Sequence, residues 1–497
     1  MTNQLLDGQS YLESLRDGRT VYIDGEKVED VTEHPAFRNS ARSVARLYDA
    51  LHDPVTRDAL TFEDDQGITT HRFFAPSRTA DELLGARDAI AAWSRLSYGF
   101  MGRTPDYKAA FMASLSSDPE LYAPYADNAR AWYRRYASQA LFLNHVLVNP
   151  PVDRSRPVHE VGDVFVHVVR ENDRGIVVSG AKMLATGSAL THATFVAQNS
   201  AVGLEPGKAE DFALAFIAPM DTPGCVLLSR SSYEAAATSP FDHPLSSRFD
   251  ENDAVLVFQE ALIPWENVLI YRDVERANSF FPRSGFINRS HLQAGTRFAV
   301  KLDLMAGLFA RAAKSNGTDG FRGVQAAIGE VLTLRNTAWA LSTVMATDTQ
   351  PGPGGSVVPR IEHAGSLRMF TSQAWERVRE LFETHLGGAP LVVPSSHRDL
   401  ANPELRPLID RYYRGSDSSA ESRIKLFKLV WDTIGTGFGG RHDLYERVYS
   451  GNADQVRIDA LNAARRGGLA DRLDAFAEEC MADYDLDGWV RGPWAQR

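Results

Sequence analysis

In the segment GRTPDYKAAF, residues 102–111, Arg103 and Tyr107 stand four residues apart. Pro105 suits the first position of a helix, where its missing N–H costs nothing. On such a helix both side chains project near the N-terminus, whose partial positive charge favours anions. A guanidinium and a phenol so placed could bind an anion or a phenolate. The plainer alternative is a surface arginine beside a half-buried core tyrosine. In LNHVLVNPPVDRS, residues 143–155, His145 is the one histidine of an apolar stretch. A lone histidine there is more often a core residue than a catalyst. It gains weight because Asn149-Pro150-Pro151 ends the helix and opens the next domain, and ligand pockets favour such junctions. Thr186, Gly187 and Ser188 end a strand. Their hydroxyls and free N–H groups suit a flat polar ring, or an ordinary turn.

Other motifs carry less. GTGFGG, residues 435–440, matches G-x-G-x-x-G on paper. A dinucleotide turn of that kind needs a strand before it and a helix after it. The preceding RIKLFKLVWDTI suits a helix, so a glycine-rich helix end and turn is expected. Bare backbone there would let a ligand or neighbouring subunit come close. Arg248, Asp250, Glu251 and Asp253 lie in SSRFDENDAVLVF (246–258). They match neither the calcium-loop spacing nor a histidine-containing metal site, so a turn with a structural ion pair is expected and no metal. Cys225 and Cys480 are the only cysteines. They exclude a disulfide framework and a four-thiolate metal site.

The elements that hold these residues run in the order α, β, α. Leu83, Ala86, Ile90 and Trp93 recur at helical spacing. A second helical stretch is expected at 128–147, and TVYIDGEKVED (20–30) looks like a hairpin turning at Asp24-Gly25. From 163 to about 263, short runs rich in Val, Ile, Phe and Thr alternate with turns, which implies a barrel or sandwich. Phe298, Leu302, Met305, Phe309 and Ala312 then restore helical spacing, as do Val324, Ile328 and Val331. QPGPGGSVVP (350–359) reads as a loop, and helices are expected over 361–386, 420–434 and 454–482. Segregated strands and helices mean an α+β fold without a parallel nucleotide-binding sheet. The net charge of −11, with no basic run, speaks against nucleic acid. The N-terminus has no apolar h-region and no apolar run reaches about 18 residues, so a cytoplasmic protein is expected and no membrane partner.

Taken together, HPAFRNSARSVARLYDALHDP, WSRLSYGFMGRTPDYKAAF, NHVLVNPPVDRS, PLSSRFDENDAVLVF, IPWENVLIYRD, FRGVQAAIGEV and GFGGRHDLYERVYSGN resemble the 4-hydroxyphenylacetate 3-hydroxylase family. These are oxygenase components of two-component flavin-dependent monooxygenases, and the resemblance spans about residues 10 to 490. It implies an acyl-CoA-dehydrogenase-like fold: a helical N-domain (1–148), a central β-barrel (149–275) and a C-terminal four-helix bundle (276–497). It implies reduced FAD delivered by a separate NAD(P)H:flavin reductase, O2 as co-substrate, a homotetramer, and hydroxylation of a phenol to a catechol. The phenol would be 4-hydroxyphenylacetate, tyrosine-like or tethered to a carrier protein. By motif, Arg103, Tyr107 and His145 would hold the phenol, with His145 taking its proton. His145, Val146, Leu147, Pro151, Val152, Asp153, Arg154 and Thr186 would line the flavin, and Ser450, Gly451 and Asn452 would touch it from the C-terminal part. The loop from Asn199 to Glu210, which departs from other members, would cover the substrate. The rivals are an acyl-CoA dehydrogenase, a related dehydratase and a non-catalytic module of the same fold. The dehydratase needs three cysteines for its iron–sulfur cluster. A dehydrogenase needs a glutamate base and a CoA groove that are not located here, and an intact Arg103, Tyr107 and His145 argue against a bystander.

Overall fold

Leu83, Ala86, Ile90 and Trp93 lie on one side of helix Ala80–Leu96 and are fully buried. The computed structural model describes residues 4–64, 66–153, 155–199, 203–449, 451–493 and 495. The expected hairpin forms: Thr20–Ile23 pairs antiparallel with Glu26–Lys27, and Asp24 and Gly25 turn with positive φ of 52° and 82°. Such a turn matches the natural twist of the two strands.

The second helical stretch is shorter than expected. Helix Ala126–Gln139 stops where Ala140 adopts the left-handed conformation, φ 50° and ψ 46°. Leu143–Val146, expected to continue the helix, is a strand paired in parallel with Ala193–Val196. His145 therefore projects from a sheet edge, not from a helix end. Non-local pairing overrides local helix propensity here.

The β region is two sheets, with no closed barrel. The six-stranded sheet runs Glu26–Lys27, Thr20–Ile23, Cys225–Ser229, Ala254–Pro264, Gly175–Lys182, His167–Asn172. The four-stranded sheet runs Val268–Tyr271, Leu214–Pro219, Ala193–Val196, Leu143–Val146. Phe216 and Phe258 meet across them with ring centroids 5.5 Å apart. Closure would need the edge strands to hydrogen-bond to each other. Instead helix Pro105–Met112 packs against edge strand Leu143–Val146. That one contact brings Arg103 and Tyr107 to His145.

In the C-terminal part, Phe298, Leu302, Met305, Phe309 and Ala312 are fully buried on helix Phe286–Ser315. This helix packs with Arg322–Thr347 and Ile361–Leu386. The fourth place of the bundle is shared: Ala420–Ile434 lies on Phe286–Ser315, and Gly437–Val448 on Ile361–Leu386. The expected loop at 350–359 contains a small hairpin, Thr349–Pro351 with Val357–Pro359. The expected helix at 454–482 is two helices, Ala453–Arg466 and Leu469–Met481, separated at the left-handed Gly468.

The glycine run follows a helix, as expected, but only Gly435 ends it. Thr436 caps the next helix, Gly437–Val448, its hydroxyl accepting from the Gly439 N–H at 3.2 Å. A Cβ on Gly439 would lie 2.8 Å from the Ile434 carbonyl carbon, and one on Gly437 2.8 Å from the Tyr233 ring. The bare backbone lets the chain approach itself.

Candidate functional site

Arg103 is set in place through its backbone. The Glu251 carboxylate accepts from the N–H groups of Gly102 (2.9 Å) and Arg103 (2.5 Å). Gly102 has no alternative residue, because a Cβ there would collide with the Tyr445 phenol. The Arg103 guanidinium carbon lies 3.9 Å from the Tyr107 ring centroid, 5.1 Å from Tyr445 and 5.7 Å from Tyr449. These are cation–π distances. Its buried Nη1 has no acceptor.

Pro105 does open the helix that follows, and every residue from Pro105 to Met112 is buried. Tyr107 is thus a core tyrosine with a ring face on Arg103, which combines the two alternatives left open by spacing. Asp106 accepts from Thr104 Oγ1 (2.5 Å), its neighbour's N–H and Gln293 Nε2 (3.2 Å). Burial pushes its carboxyl up to about 6.

The His145 ring centroid is 5.8 Å from Tyr107, 5.4 Å from Phe111 and 5.9 Å from Phe286. Burial, then Lys108 and Arg103, hold its imidazole well below the ordinary histidine range. Its Nδ1 is 3.5 Å from Lys108 Nζ, which lies 3.2 Å from Asn144 Oδ1. The predicted trio Arg103, Tyr107 and His145 therefore forms one cluster, together with Lys108, which the sequence did not single out. Among the described residues no carboxylate forms an ion pair with Arg103 or Lys108. A buried cation without a counter-ion is costly, and that cost is relieved by any anion that enters.

Thr186 follows strand Gly175–Lys182 of the six-stranded sheet. Its hydroxyl donates to Asp253 Oδ1 at 2.5 Å. Asp253 in turn meets Arg230 (3.1 Å) and Arg441 (3.1 Å). Burial works against the charge on Asp253, but Arg441 and Arg230 hold its carboxyl far below the usual range. The expected structural ion pair in this turn exists, between Asp250 and Arg230 and between Glu251 and Arg441. Arg248 takes no part; it donates to the Pro244 carbonyl and stacks on Phe249. Among the described residues no group of three His, Cys, Asp or Glu could hold a metal.

The remaining predicted contacts are more scattered. Val146 is buried, Leu147 half-buried, Pro151 and Val152 exposed. Asp153 accepts from Ser155. Gly451 has φ +113°, and Asn452 caps helix Ala453–Arg466. Arg154 and Ser450 lie outside the described residues, as do 200–202 of the loop expected over the substrate. Among the described residues no hydrogen bond or ring contact joins Pro151, Val152, Asp153, Gly451 or Asn452 to the Arg103 cluster. The rest of that loop is pinned to helix Val274–Ser284, where Asn278 bonds both the N–H and the C=O of Leu204.

A flavin ring offers an apolar plane with N–H and C=O groups on one edge, and the residues here fit it. Thr186 spends its proton on Asp253 and keeps lone pairs free to accept. Leu184, beside it, leaves 54% of its apolar side chain exposed. A Cβ on Gly187 would have nothing nearer than 3.7 Å, so the backbone there is open to approach. Lys182, buried, ties the Leu147–Asn149 segment down through Asn149 Oδ1 (2.8 Å) and the Leu147 carbonyl (3.4 Å).

Sequence reasoning missed Lys108, Lys182, Tyr445 and Tyr449. Arg441, Tyr445 and Tyr449 are spaced at fours on one helix face, a visible signal; the two lysines carry none beyond their apolar neighbourhoods. Two surface cavities, about 440 and 650 Å³, lie elsewhere, lined by Arg42, Arg46 and Arg248 and by Leu304, Leu308 and Leu429.

Comparison with known proteins places the chain in a family. Residues 7–270 match the model of the 4-hydroxyphenylacetate 3-hydroxylase N-terminal region, and 277–478 that of its C-terminal region. A pyoverdin chromophore biosynthetic protein of Pseudomonas aeruginosa is 58% identical over 99% of this chain and 98% of its own. A (3S)-3-amino-3-(3-chloro-4-hydroxyphenyl)propanoyl-[peptidyl-carrier protein] monooxygenase of Streptomyces globisporus is 50% identical over 98% of this chain and 92% of its own. The crystal structure of the oxygenase component of 4-hydroxyphenylacetate 3-monooxygenase with FAD and 4-hydroxyphenylacetate superposes with a TM-score of 0.89. It is 32% identical and covers 96% of this chain and 99% of its own. An archaeal 4-hydroxybutyryl-CoA dehydratase, 21% identical with a TM-score of 0.84, shares the fold. The α+β, acyl-CoA-dehydrogenase-like class holds, with paired sheets in place of the barrel.

Proposed function

The chain belongs to the 4-hydroxyphenylacetate 3-hydroxylase family, and on that premise we propose that it is the oxygenase component of a two-component monooxygenase. It hydroxylates a phenol ortho to its OH and releases a catechol. Reduced FAD, supplied by a separate NAD(P)H:flavin reductase, provides the electrons that activate O2.

The chain's own residues do the rest. His145 is neutral at physiological pH, so its Nε2 can accept the phenol proton, the role of a general base. Losing that proton makes the ring carbon beside the oxygen electron-rich. Arg103, whose Nη1 lacks a partner, and Tyr107 hold the oxygen that becomes negative. Preorganised groups of this kind contribute about 3–4 kcal/mol to catalysis. Phe111 and Phe286 flank His145 and keep water out, which strengthens these electrostatic interactions. Thr186 accepts from the flavin edge, and His145, Val146, Leu147, Pro151, Val152, Asp153, Gly451 and Asn452 line the cofactor.

The observation that carries this reading is the cluster of half-buried Arg103 and His145 around buried Lys108, with no carboxylate among the described residues paired to their side chains. Beside it stand Tyr107 and apolar rings that suit an aromatic guest. The substrate is a para-substituted phenol, free or carrier-tethered. The chain works as a homotetramer in the cytoplasm. Three units divide it at 148/149 and 275/276, the first lending residues 20–27 and 143–146 to the sheets of the second.

The experiment supplies photoreduced FAD and O2 with a panel of phenols, including 4-hydroxyphenylacetate and tyrosine, and separates the products by chromatography. A catechol from at least one phenol is expected. Oxygen uptake with no catechol from any member would contradict the reading.

A further inference from the structure

Lys108 is buried one position after Tyr107 and touches neither a carboxylate nor solvent. We propose that it is the terminal proton acceptor of the site: the phenol proton moves to His145 Nε2 while His145 Nδ1–H passes its proton to Lys108 Nζ. This rests on the reading of the Arg103–Tyr107–His145 cluster as a phenol site.

The hydrogen-bond directions support it. Ser188 Oγ donates to the Ala185 carbonyl at 2.6 Å, so its proton is spent. Its oxygen then accepts from Asn144 Nδ2, also at 2.6 Å. Asn144 is thereby oriented, and its Oδ1 faces Lys108 Nζ at 3.2 Å. Lys108 donates there. Its other polar neighbour is His145 Nδ1 at 3.5 Å. An amine that donates to Asn144 keeps its lone pair for the imidazole N–H.

The charges around it favour the neutral amine before substrate binds. Burial, and then Arg103 just ahead of the helix, disfavour a proton on Lys108 and take Nζ well below the ordinary lysine range. Asp106 and Tyr107 share the helix, and Asp106 is directed at Thr104 and Gln293. Glu251 and Asp253, on the turn opposite, are committed to Gly102, Arg103, Arg230 and Arg441. Among the described residues, His145 is the titratable group hydrogen-bonded to Nζ from the strand side.

The step balances. The phenol O–H breaks and an N–H forms at Nε2; the Nδ1–H breaks and an N–H forms at Nζ. The phenol becomes phenolate, the amine becomes ammonium, and the imidazole stays neutral with its tautomer exchanged. No proton leaves the protein. The phenolate then lies between an ammonium and a guanidinium in a dry site, where each charge offsets the cost of burying the other. Lys108 acts through His145 and is a positioning residue and proton store, not a group that touches substrate.

The test uses 4-nitrophenol with the flavin-free full chain, at a pH below the free phenol's own pKa. Visible absorption reads the bound phenolate. Calorimetry in buffers of different ionisation heat counts the protons released. The wild type is expected to bind the phenolate and release close to no proton, because Lys108 keeps it. Lys108→Met should lower the bound phenolate fraction roughly tenfold or more. Lys108→Arg, already cationic, should bind phenolate but release about one proton. Release of about one proton by the wild type, which needs no variant, would overturn the relay; so would an unchanged phenolate fraction in Lys108→Met. A wild type that binds no phenol would instead sink the proposed function.

Discussion

Two charge clusters lie near Tyr445, and they differ in their counter-charge. In the first, Arg297 grips Glu446 with both guanidinium arms, at 2.5 and 2.7 Å, and Lys301 adds a third bond at 2.9 Å. All three side chains are at most 1% exposed. In the second, no carboxylate among the described residues forms an ion pair with the side chains of Arg103, Lys108 or His145, although Glu251 holds the Arg103 backbone N–H. Tyr445 lies within cation–π reach of both arginines, 5.3 Å from Arg297 and 5.1 Å from Arg103. The paired cluster joins helix Phe286–Ser315 to helix Gly437–Val448, and its carboxylate meets both cations although Arg297 Nε has no acceptor among the described residues. The unpaired one is incomplete until an anion enters. Burial alone does not mark a functional site; the missing counter-charge beside a phenol, an imidazole and apolar rings is what singles out this cluster as the candidate.

That contrast is best broken at its paired end. Glu446→Gln should destabilise the fold by about 3–5 kcal/mol, because it strands two buried cations. Urea denaturation would read this as a lower midpoint with unchanged slope. Arg103→Met should do the reverse. It should cut the hydroxylation rate by about 10²–10³ while the denaturation midpoint stays put or rises, since an unpaired buried charge is removed. Kinetics and denaturation on the same preparation would check both halves.

Glu446 also sharpens the comparison through pH. Burial opposes its charge, but Arg297 and Lys301 outweigh that and bring its carboxyl down from 4.5 to about 2. The folded value lies below the unfolded one. Its contribution to stability is therefore full above pH 4.5 and is lost as pH falls towards about 2. Thermal melts across that window should fall in the wild type and flatten in Glu446→Gln. The smallest effect belongs to Thr186→Val, which leaves Asp253 one donor short. It should cost about 1–2 kcal/mol of stability, read from the same denaturation curves, with a few-fold loss of catechol yield per O2.

The helix opening at Pro105 beside Arg103 and Tyr107 was legible because proline at a first helical position is a local signal, while their proposed role came from the family resemblance. The stripe from Phe298 to Ala312 was legible for the same reason. His145 was visible as a residue but misplaced on a helix. The strand that carries it is four residues long and is specified by pairing with Ala193–Val196, some fifty positions away. Lys108 was hidden although it adjoins Tyr107, since its meaning comes from Asn144 and His145 across that same pairing. The Glu251 grip on Gly102 and Arg103 spans still more chain. Local order reads from sequence; the counter-charge of a buried group does not, because it arrives from elsewhere in the fold.

The central claim is that the imidazole at 145 activates the phenol. His145→Ala should be mixed with reduced FAD, O2 and a phenol turned over by the wild type, with flavin binding followed by fluorescence. The account predicts catechol formation lowered by about 10²–10⁴ with FAD still bound. An unchanged rate of catechol formation would contradict it.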